Sequence, residues 1–195
     1  MTQPAGVILA GGLATRMGGG DKCLLPLKGV PMLESIVARL APQVGAMALN
    51  ANGDAARFAS FDLPVIADSV AGFAGPLAGV LAGLDWAAGQ GHASIVTVAG
   101  DTPFFPEDLV ARLTAEAEGM AAPLVLARTP DGRQPTFGLW PVALRDDLRA
   151  ALEGGLRKVV LWTDQHGGRM AEFADAEAFF NINTPEDKDR AEAML

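Results

Sequence analysis

Four short, almost wholly apolar segments constrain this chain more than any other feature. They are Val7-Ile8-Leu9-Ala10, Ala46-Met47-Ala48-Leu49, Val65-Ile66-Ala67 and Ser94-Ile95-Val96-Thr97-Val98-Ala99. Each runs into a polar or glycine residue: Gly11-Gly12, Asn50, Asp68 and Gly100-Asp101 respectively. Helical spacing fills two of the intervals. Leu33, Ile36, Val37 and Leu40 fall at i, i+3, i+4 and i+7, and Leu77, Val80, Leu81 and Leu84 repeat the spacing behind Gly75-Pro76. Continuous apolar strands alternating with helices predict a largely parallel sheet covered on both faces. Pro106-Glu107-Asp108 is expected to open a third helix with acidic residues in its first turn, followed by Leu109, Val110 and Leu113.

The second half is less regular. Leu124-Val125-Leu126 and Thr136-Phe137-Gly138-Leu139-Trp140 read as strands, the latter a candidate for antiparallel pairing. Leu144, Leu148 and Leu152 mark a helix stopped by Gly154-Gly155. Thr184-Pro185-Glu186-Asp187 carries an N-cap, a proline at the first helical position and a capping-box acid, so a terminal helix starts there. No repeat, low-complexity tract or linker interrupts the pattern. The 195 residues, half of them hydrophobic, are expected to form one α/β domain with a small antiparallel addition.

Ligands in open parallel sheets bind beyond the carboxyl ends of the strands, which directs attention to the residues after each one. The first strand enters Gly11-Gly12, then Thr15-Arg16-Met17-Gly18-Gly19-Gly20-Asp21-Lys22. Glycines allow close approach of backbone to ligand, and Arg16 and Lys22 add cations to the backbone N–H groups, a combination suited to gripping a triphosphate. Asp21-Lys22-Cys23 is not the Gly-Lys-Ser/Thr ending of a P-loop, and the glycine spacing fails the dinucleotide-binding pattern. The segment resembles instead the signature of nucleotidyltransferases with a Rossmann-like N-terminal half.

Asn50, Asp68 and Asp101 extend that rim, although each also has a turn or helix-cap reading, and Asn52 reads more simply as a turn residue. Asp101 follows a buried strand, where an unpaired carboxylate is costly. A divalent cation would compensate it, and Mg²⁺ takes one or two carboxylates together with phosphate oxygens and waters. A metal there would neutralise charge developing on phosphate, with Arg16 and Lys22 acting from the opposite side. Covalent catalysis has little support: His92 and His166 read as solvent-exposed loop residues, and Cys23, whose thiol pKa could be lowered beside Lys22, has no partner base in view.

Charge and cysteine content narrow the class further. A net charge of −8 argues against a broad nucleic-acid surface. Residues 128–158 nonetheless carry Arg128, Arg133, Arg145, Arg149, Arg157 and Lys158, either a second anion site or solvated helix faces. Cys23 is the single cysteine, so no intrachain disulfide can form. Every apolar run stops well short of the ~18 residues of a membrane span. Met1-Thr2-Gln3-Pro4 has no basic signal region, and a cytoplasmic location is expected.

Several segments together resemble the molybdenum cofactor guanylyltransferase (MobA) family, from about residue 6 to residue 188. They are Leu9-Ala10-Gly11-Gly12, Arg16-Met17-Gly18-Gly19, Asp21-Lys22, Gly75-Pro76-Leu77-Ala78-Gly79, Asp101-Thr102-Pro103-Phe104, Gln134-Pro135-Thr136-Phe137 and Asn181-Ile182-Asn183-Thr184-Pro185-Glu186-Asp187. The resemblance implies a Rossmann-like three-layer nucleotidyltransferase fold, nucleotide-binding in its N-terminal half and acceptor-binding in its C-terminal half. It also implies a Mg²⁺-dependent enzyme that transfers GMP from GTP to the terminal phosphate of molybdenum-molybdopterin, releasing pyrophosphate. Arg16, Lys22 and Asp101 would then be catalytic. Leu9, Ala10, Gly11, Gly12, Lys22, Asn50, Asp68 and Asp101 would contact GTP, Asp101 holding the metal, while Gln134, Pro135, Thr136, Asn181 and Asn183 would face the acceptor. Transient contact with cofactor-inserting chaperones or apo-molybdoenzymes follows from the need to hand the product on. Two positions depart from the family pattern, Cys23 where glycine is usual and Gln134 where histidine is frequent. The alternatives are a related nucleotidyltransferase using CTP or a sugar or alcohol phosphate, and a non-catalytic adaptor that binds GTP or the finished cofactor.

Overall fold

The computed structural model describes residues 3–11, 20–70 and 75–195. Its centre is a seven-stranded sheet. The strands are β1 (Ala5–Leu9), β4 (Met47–Asn50), β5 (Val65–Ile66), β6 (Ser94–Ala99), β7 (Val125–Thr129), β8 (Gly132–Pro141) and β9 (Arg169–Glu172), and they lie in the order β5-β4-β1-β6-β8-β7-β9. β1 pairs parallel with both β4 and β6, β4 with β5, and β7 with β9. β8 runs antiparallel to both of its neighbours, β6 and β7, as its sequence led us to expect. A separate ribbon, β2 (Pro26–Leu27) with β3 (Val30–Pro31), leads into the first helix.

Alternation along each strand divides the interior into two layers, because successive side chains of a strand point to opposite faces. Ile8, Leu49, Val96, Val98, Val125, Ala127, Phe137 and Leu139 pack on one face. Helices α1 (Met32–Leu40), α3 (Leu109–Glu116) and α6 (Pro185–Met194) cover it with Leu33, Ile36, Leu40, Leu109, Leu113 and Ala191. Val7, Ile95, Leu124, Leu126 and Trp140 face the other way. There they meet α2 (Pro76–Gly89), α4 (Arg145–Glu153) and α5 (Val159–Gln165) through Leu77, Val80, Leu84, Leu148, Leu152 and Trp162. Thr97 is a buried polar residue between the strands. Its hydroxyl donates to Thr136 O at 2.9 Å and accepts the Trp140 indole N–H at 2.8 Å, so the β6–β8 seam leaves neither group unpaired.

The structure departs from the sequence reading in three places. The third helix begins at Leu109, so Glu107 and Asp108 precede it and its first turn holds no acid. The Leu109 N–H bonds the Pro106 carbonyl, closing a turn where the helix was expected to start. Strand β9 lies in a stretch whose alternation is too short and too polar at Arg169 and Glu172 to announce itself. His166 and His92 are both half-buried rather than exposed. His166 stacks on Trp162 with centroids 4.4 Å apart and lies 2.9 Å from an Asp147 oxygen, while His92 sits 6.3 Å from Trp86. Among the described residues, no helix is long and apolar enough to cross a membrane.

Candidate functional site

The register aligns four strand ends. Leu9 is opposite Asn50 on one side and Ala99 on the other, and Asn50 is opposite Ile66. The segments that leave these strands therefore emerge side by side along one edge of the sheet: Ala10-Gly11, Ala51-Asn52, Asp68 and Gly100-Asp101. Gly12 and Arg16, together with the remainder of the glycine-rich segment, lie outside the described residues. Gly100 is required where it stands, because a Cβ there would lie 3.0 Å from Leu9 O and 3.1 Å from Ala10 Cα, so the ends of β1 and β6 close up on each other.

At one end of this edge, residues distant in sequence converge on Asp101. Lys22 opens a short 3-10 turn, Lys22–Leu24, and its Nζ lies 2.7 Å from Asp101 Oδ2. The ammonium also donates to Asn183 Oδ1. Thr102 donates through its hydroxyl to Asn181 Oδ1 and at 3.2 Å to Asp101 Oδ1. The Asp101 carbonyl accepts the Ile182 N–H at 2.9 Å, which ties the Asn181-Ile182-Asn183 segment to the end of β6. Asp187 accepts the N–H groups of Asn183 and Thr184, both at 2.9 Å, and the Thr184 hydroxyl accepts the Asp187 N–H, the capping box anticipated from sequence. The Asn183 N–H is the leading reason the Asp187 carboxyl titrates below the usual carboxylate range.

This arrangement revises the reading of Asp101. Its carboxylate is not an unpaired buried charge; Lys22 compensates it directly, and its side chain keeps 27% of its surface accessible. Lys22 therefore contacts Asp101 rather than acting from across the site. Among the described residues no three His, Cys, Asp or Glu side chains converge to cage a metal. What remains is the donor set that Mg²⁺ uses in nucleotide sites, one reachable carboxylate to which phosphate oxygens and water add.

At the other end of the edge, Asp68 is gripped by two asparagines. Asn50 is buried at 5% exposure, and its Nδ2 donates to Ile66 O at 3.2 Å and Asp68 Oδ1 at 3.0 Å. Asn52 Nδ2 donates to Asp68 Oδ2 at 2.8 Å, while its Oδ1 accepts the Asp68 N–H at 2.9 Å. Gly79, in the second turn of α2, makes room for this cluster: a Cβ there would collide with the Asn50 carboxamide and come within 2.9 Å of a Leu9 methyl. Arg57 joins the two ends. Its guanidinium pairs with Asp21, beside Lys22, at 2.5 Å and donates to Asn52 O at 2.5 Å. Neither Asn52 nor Arg57 stood out in the sequence, since an Asn in a turn and an Arg among small residues are ordinary on a surface.

The acceptor candidates divide. Asn181 and Asn183 belong to the Lys22–Asp101 cluster. Gln134 lies in β8 opposite Ala127 and donates to Thr129 Oγ1 at 3.2 Å. Pro135 and Thr136 follow it in the portion of β8 that extends past the Thr97–Gly138 pair towards the Asp101 end of β6. The cations of the second basic segment are mostly committed to carboxylates. Arg133 grips Asp164 at 2.8 and 3.0 Å, Arg149 reaches Asp85 at 2.7 Å, and Arg145 pairs with Asp146 at 2.8 Å. Cys23 is 1% exposed in the core, and burial pushes its thiol up to about 12, the reverse of activation.

Comparison with known proteins agrees with this architecture. Residues 6–168 match the family model described as "MobA-like NTP transferase domain". A molybdenum cofactor guanylyltransferase of Mesorhizobium japonicum is 49% identical, covering 98% of this chain and 95% of the relative. One from Cupriavidus taiwanensis is 51% identical over 92% of this chain and 91% of its own. Among solved structures, the molybdopterin-guanine dinucleotide biosynthesis protein A of Archaeoglobus fulgidus superposes with a TM-score of 0.77 at 23% identity, over 97% of both chains. A Mycobacterium tuberculosis protein solved in complex with manganese gives 0.69 at 20% identity, over the full length of both. At these lengths and identities, the chain belongs to the molybdenum cofactor guanylyltransferase family.

Proposed function

We propose that this chain transfers GMP from GTP to the terminal phosphate of molybdenum-molybdopterin, forming the guanine dinucleotide cofactor and pyrophosphate. The observation that carries this reading is the pairing, along one sheet edge, of a lysine–carboxylate cluster (Lys22, Asp101, Asn183) with a carboxylate held by two asparagines (Asp68, Asn50, Asn52). Such an edge has one end suited to phosphate and another suited to a base with adjacent donors. Guanine offers N1–H and N2–H₂ side by side, and Asp68 is the acceptor matched to them.

In this reading an oxygen of the molybdopterin phosphate forms a bond to the α-phosphorus of GTP, while the bond from that phosphorus to the α,β-bridging oxygen breaks and the electron pair departs with pyrophosphate. Leu9, Ala10, Gly11 and Gly12 supply backbone beside the triphosphate. Lys22 and Arg16 balance the charge that builds on its oxygens, and preorganised charges of this kind, with positioning, account for most of the acceleration of phosphoryl transfer. Asp101 would hold a divalent cation, Mg²⁺ in this reading, which would supply positive charge against the triphosphate and the departing pyrophosphate. Lys22 would then exchange its contact with Asp101 for the phosphates, keeping Asn183 as its second partner.

The N-terminal half takes the nucleotide and the C-terminal half the acceptor, through Gln134, Pro135, Thr136, Asn181 and Asn183. A cytoplasmic enzyme that passes its product to apo-molybdoenzymes or their chaperones is the setting this chemistry fits. The test is pyrophosphate release with molybdenum-molybdopterin and Mg²⁺, run in parallel with GTP, CTP, ATP and UTP. Turnover with GTP well above the other three is expected. Preference for CTP would overturn the guanine assignment, and no turnover with any nucleotide would overturn the acceptor.

A further inference from the structure

Asn52 makes two hydrogen bonds to a single residue. Its Nδ2 donates to Asp68 Oδ2 at 2.8 Å, and its Oδ1 accepts the Asp68 N–H at 2.9 Å. The backbone N–H can only donate, so the orientation of the carboxamide is fixed by this pair. Asn50 Nδ2 takes the other carboxylate oxygen at 3.0 Å. Both oxygens of Asp68 are thus held, the plane of the carboxylate is set, and each oxygen keeps lone-pair capacity for a ligand. Asn52 is itself anchored, because Arg57 donates to its carbonyl at 2.5 Å while pairing with Asp21 at 2.5 Å.

A turn residue has no need of this much fixing, whereas a base reader does. A carboxylate free to rotate accepts from any exocyclic amine. A carboxylate with a fixed plane presents two acceptors in a row and selects a base with two donors in a row. Guanine has that edge. Cytosine and adenine set a ring acceptor beside their single amine, and uracil flanks its N3–H with two carbonyls, so each would bring an acceptor against a carboxylate oxygen. We propose that Asn52 is a positioning residue for nucleobase specificity, acting through Asp68 to present that two-acceptor edge to guanine. The proposal rests on the guanine-reading role given to Asp68 above and adds the group that sets its geometry.

The experiment is equilibrium binding of GTP, ITP and CTP in the presence of Mg²⁺ and without molybdopterin. The proteins are the full chain and its Asn52→Ala, Asn52→Asp, Asp68→Asn and Asn52→Ala/Asp68→Asn variants, with thermal melts alongside. ITP lacks the N2 amine, so the GTP-to-ITP affinity ratio reports the second contact. Asn52→Ala is expected to lower that ratio about tenfold, the scale of one hydrogen bond to a charged group. Asn52→Asp should lose at least as much, since it keeps the size but replaces the donor with a second carboxylate. The double variant should match Asp68→Asn alone, the non-additivity expected of residues acting as one unit.

If Asn52→Ala keeps the ratio while Asp68→Asn loses it, the role of Asn52 is overturned and guanine reading by Asp68 stands. An equal weakening of all three nucleotides by Asn52→Ala would make it a loop-structural residue and overturn the specificity role. If Asp68→Asn itself keeps the ratio, both this inference and the guanine-reading assignment fall.

Discussion

Lys22 and Asp101 lie 79 positions apart in the chain, yet their charged groups meet at 2.7 Å. The contact joins the turn that follows the glycine-rich segment to the end of β6, and through Asn183 it also joins both to the start of α6. A mostly parallel sheet produces such a meeting because its strand ends all open on one edge, so distant segments deliver side chains to the same place.

Lys22→Ala is expected to lower kcat roughly 10²-fold or more, the scale for removing one preorganised charge-stabilising donor. Steady-state rates with saturating GTP check this, and a loss under tenfold would place the triphosphate on other groups. Lys22→Arg should not restore the wild-type rate, because a planar guanidinium cannot replace a compact ammonium between Asp101 and Asn183.

Gly79→Ala sets two effects against each other. Alanine in a helix is worth about 1 kcal/mol over glycine. The new methyl meets the Asn50 carboxamide and a Leu9 methyl, and overpacking of this kind costs about 1–3 kcal/mol. Net destabilisation with weaker GTP binding is expected, read as a lower Tm and a raised Kd. A higher Tm with unchanged Kd would show that the cluster relaxes without cost.

Cys23 should resist alkylation. Its thiol is buried and raised to about 12, so the folded protein offers almost no thiolate at pH 8, and iodoacetamide labelling should track unfolding. The same shift has a stability consequence. The unfolded thiol ionises first, the unfolded state therefore binds fewer protons between about 9 and about 12, and stability falls as pH rises through that window. Cys23→Ala should flatten that alkaline fall.

Asp187 works at the opposite end of the scale. Its carboxyl is lowered in the folded state by the Asn183 and Thr184 N–H bonds. The stabilisation is therefore present above the unfolded pKa of about 4 and is lost as pH falls through the folded value. Asp187→Asn should cost stability at pH 7 and lessen the further loss on acidification. Thr184→Ala, which removes the other half of the capping box, is expected to cost about 1 kcal/mol. Thermal melts from pH 7 to pH 3 measure both.

Much of this was legible in the sequence because it rests on local rules. Apolar runs marked β1, β4, β5 and β6, the i, i+3, i+4 spacing marked α1 and α2, and Thr184 with Asp187 marked the cap of α6. Position at strand ends brought out Asn50, Asp68 and Asp101. What stayed hidden depends on tertiary partners. Asn52 carries its meaning only once Asp68 is beside it, Arg57 only once Asp21 and Asn52 flank it, and β9 only once β7 offers an edge. Asp101 looked like a charge in need of a metal, and the ammonium that compensates it comes from Lys22, 79 positions earlier in the chain. Cys23 read as a thiol that Lys22 could acidify, and burial reverses this, because adjacency in sequence does not show which side chain turns inward.

The most direct test of the proposed reaction is the identity of its product. Wild-type protein, GTP, Mg²⁺ and molybdenum-molybdopterin should yield the guanine dinucleotide and pyrophosphate in equal amounts by mass spectrometry and phosphate analysis. Asp101→Asn, tested alongside, should yield neither while retaining the wild-type melting behaviour. Pyrophosphate without a pterin-linked guanylate, or undiminished product from Asp101→Asn, would contradict the proposed reaction.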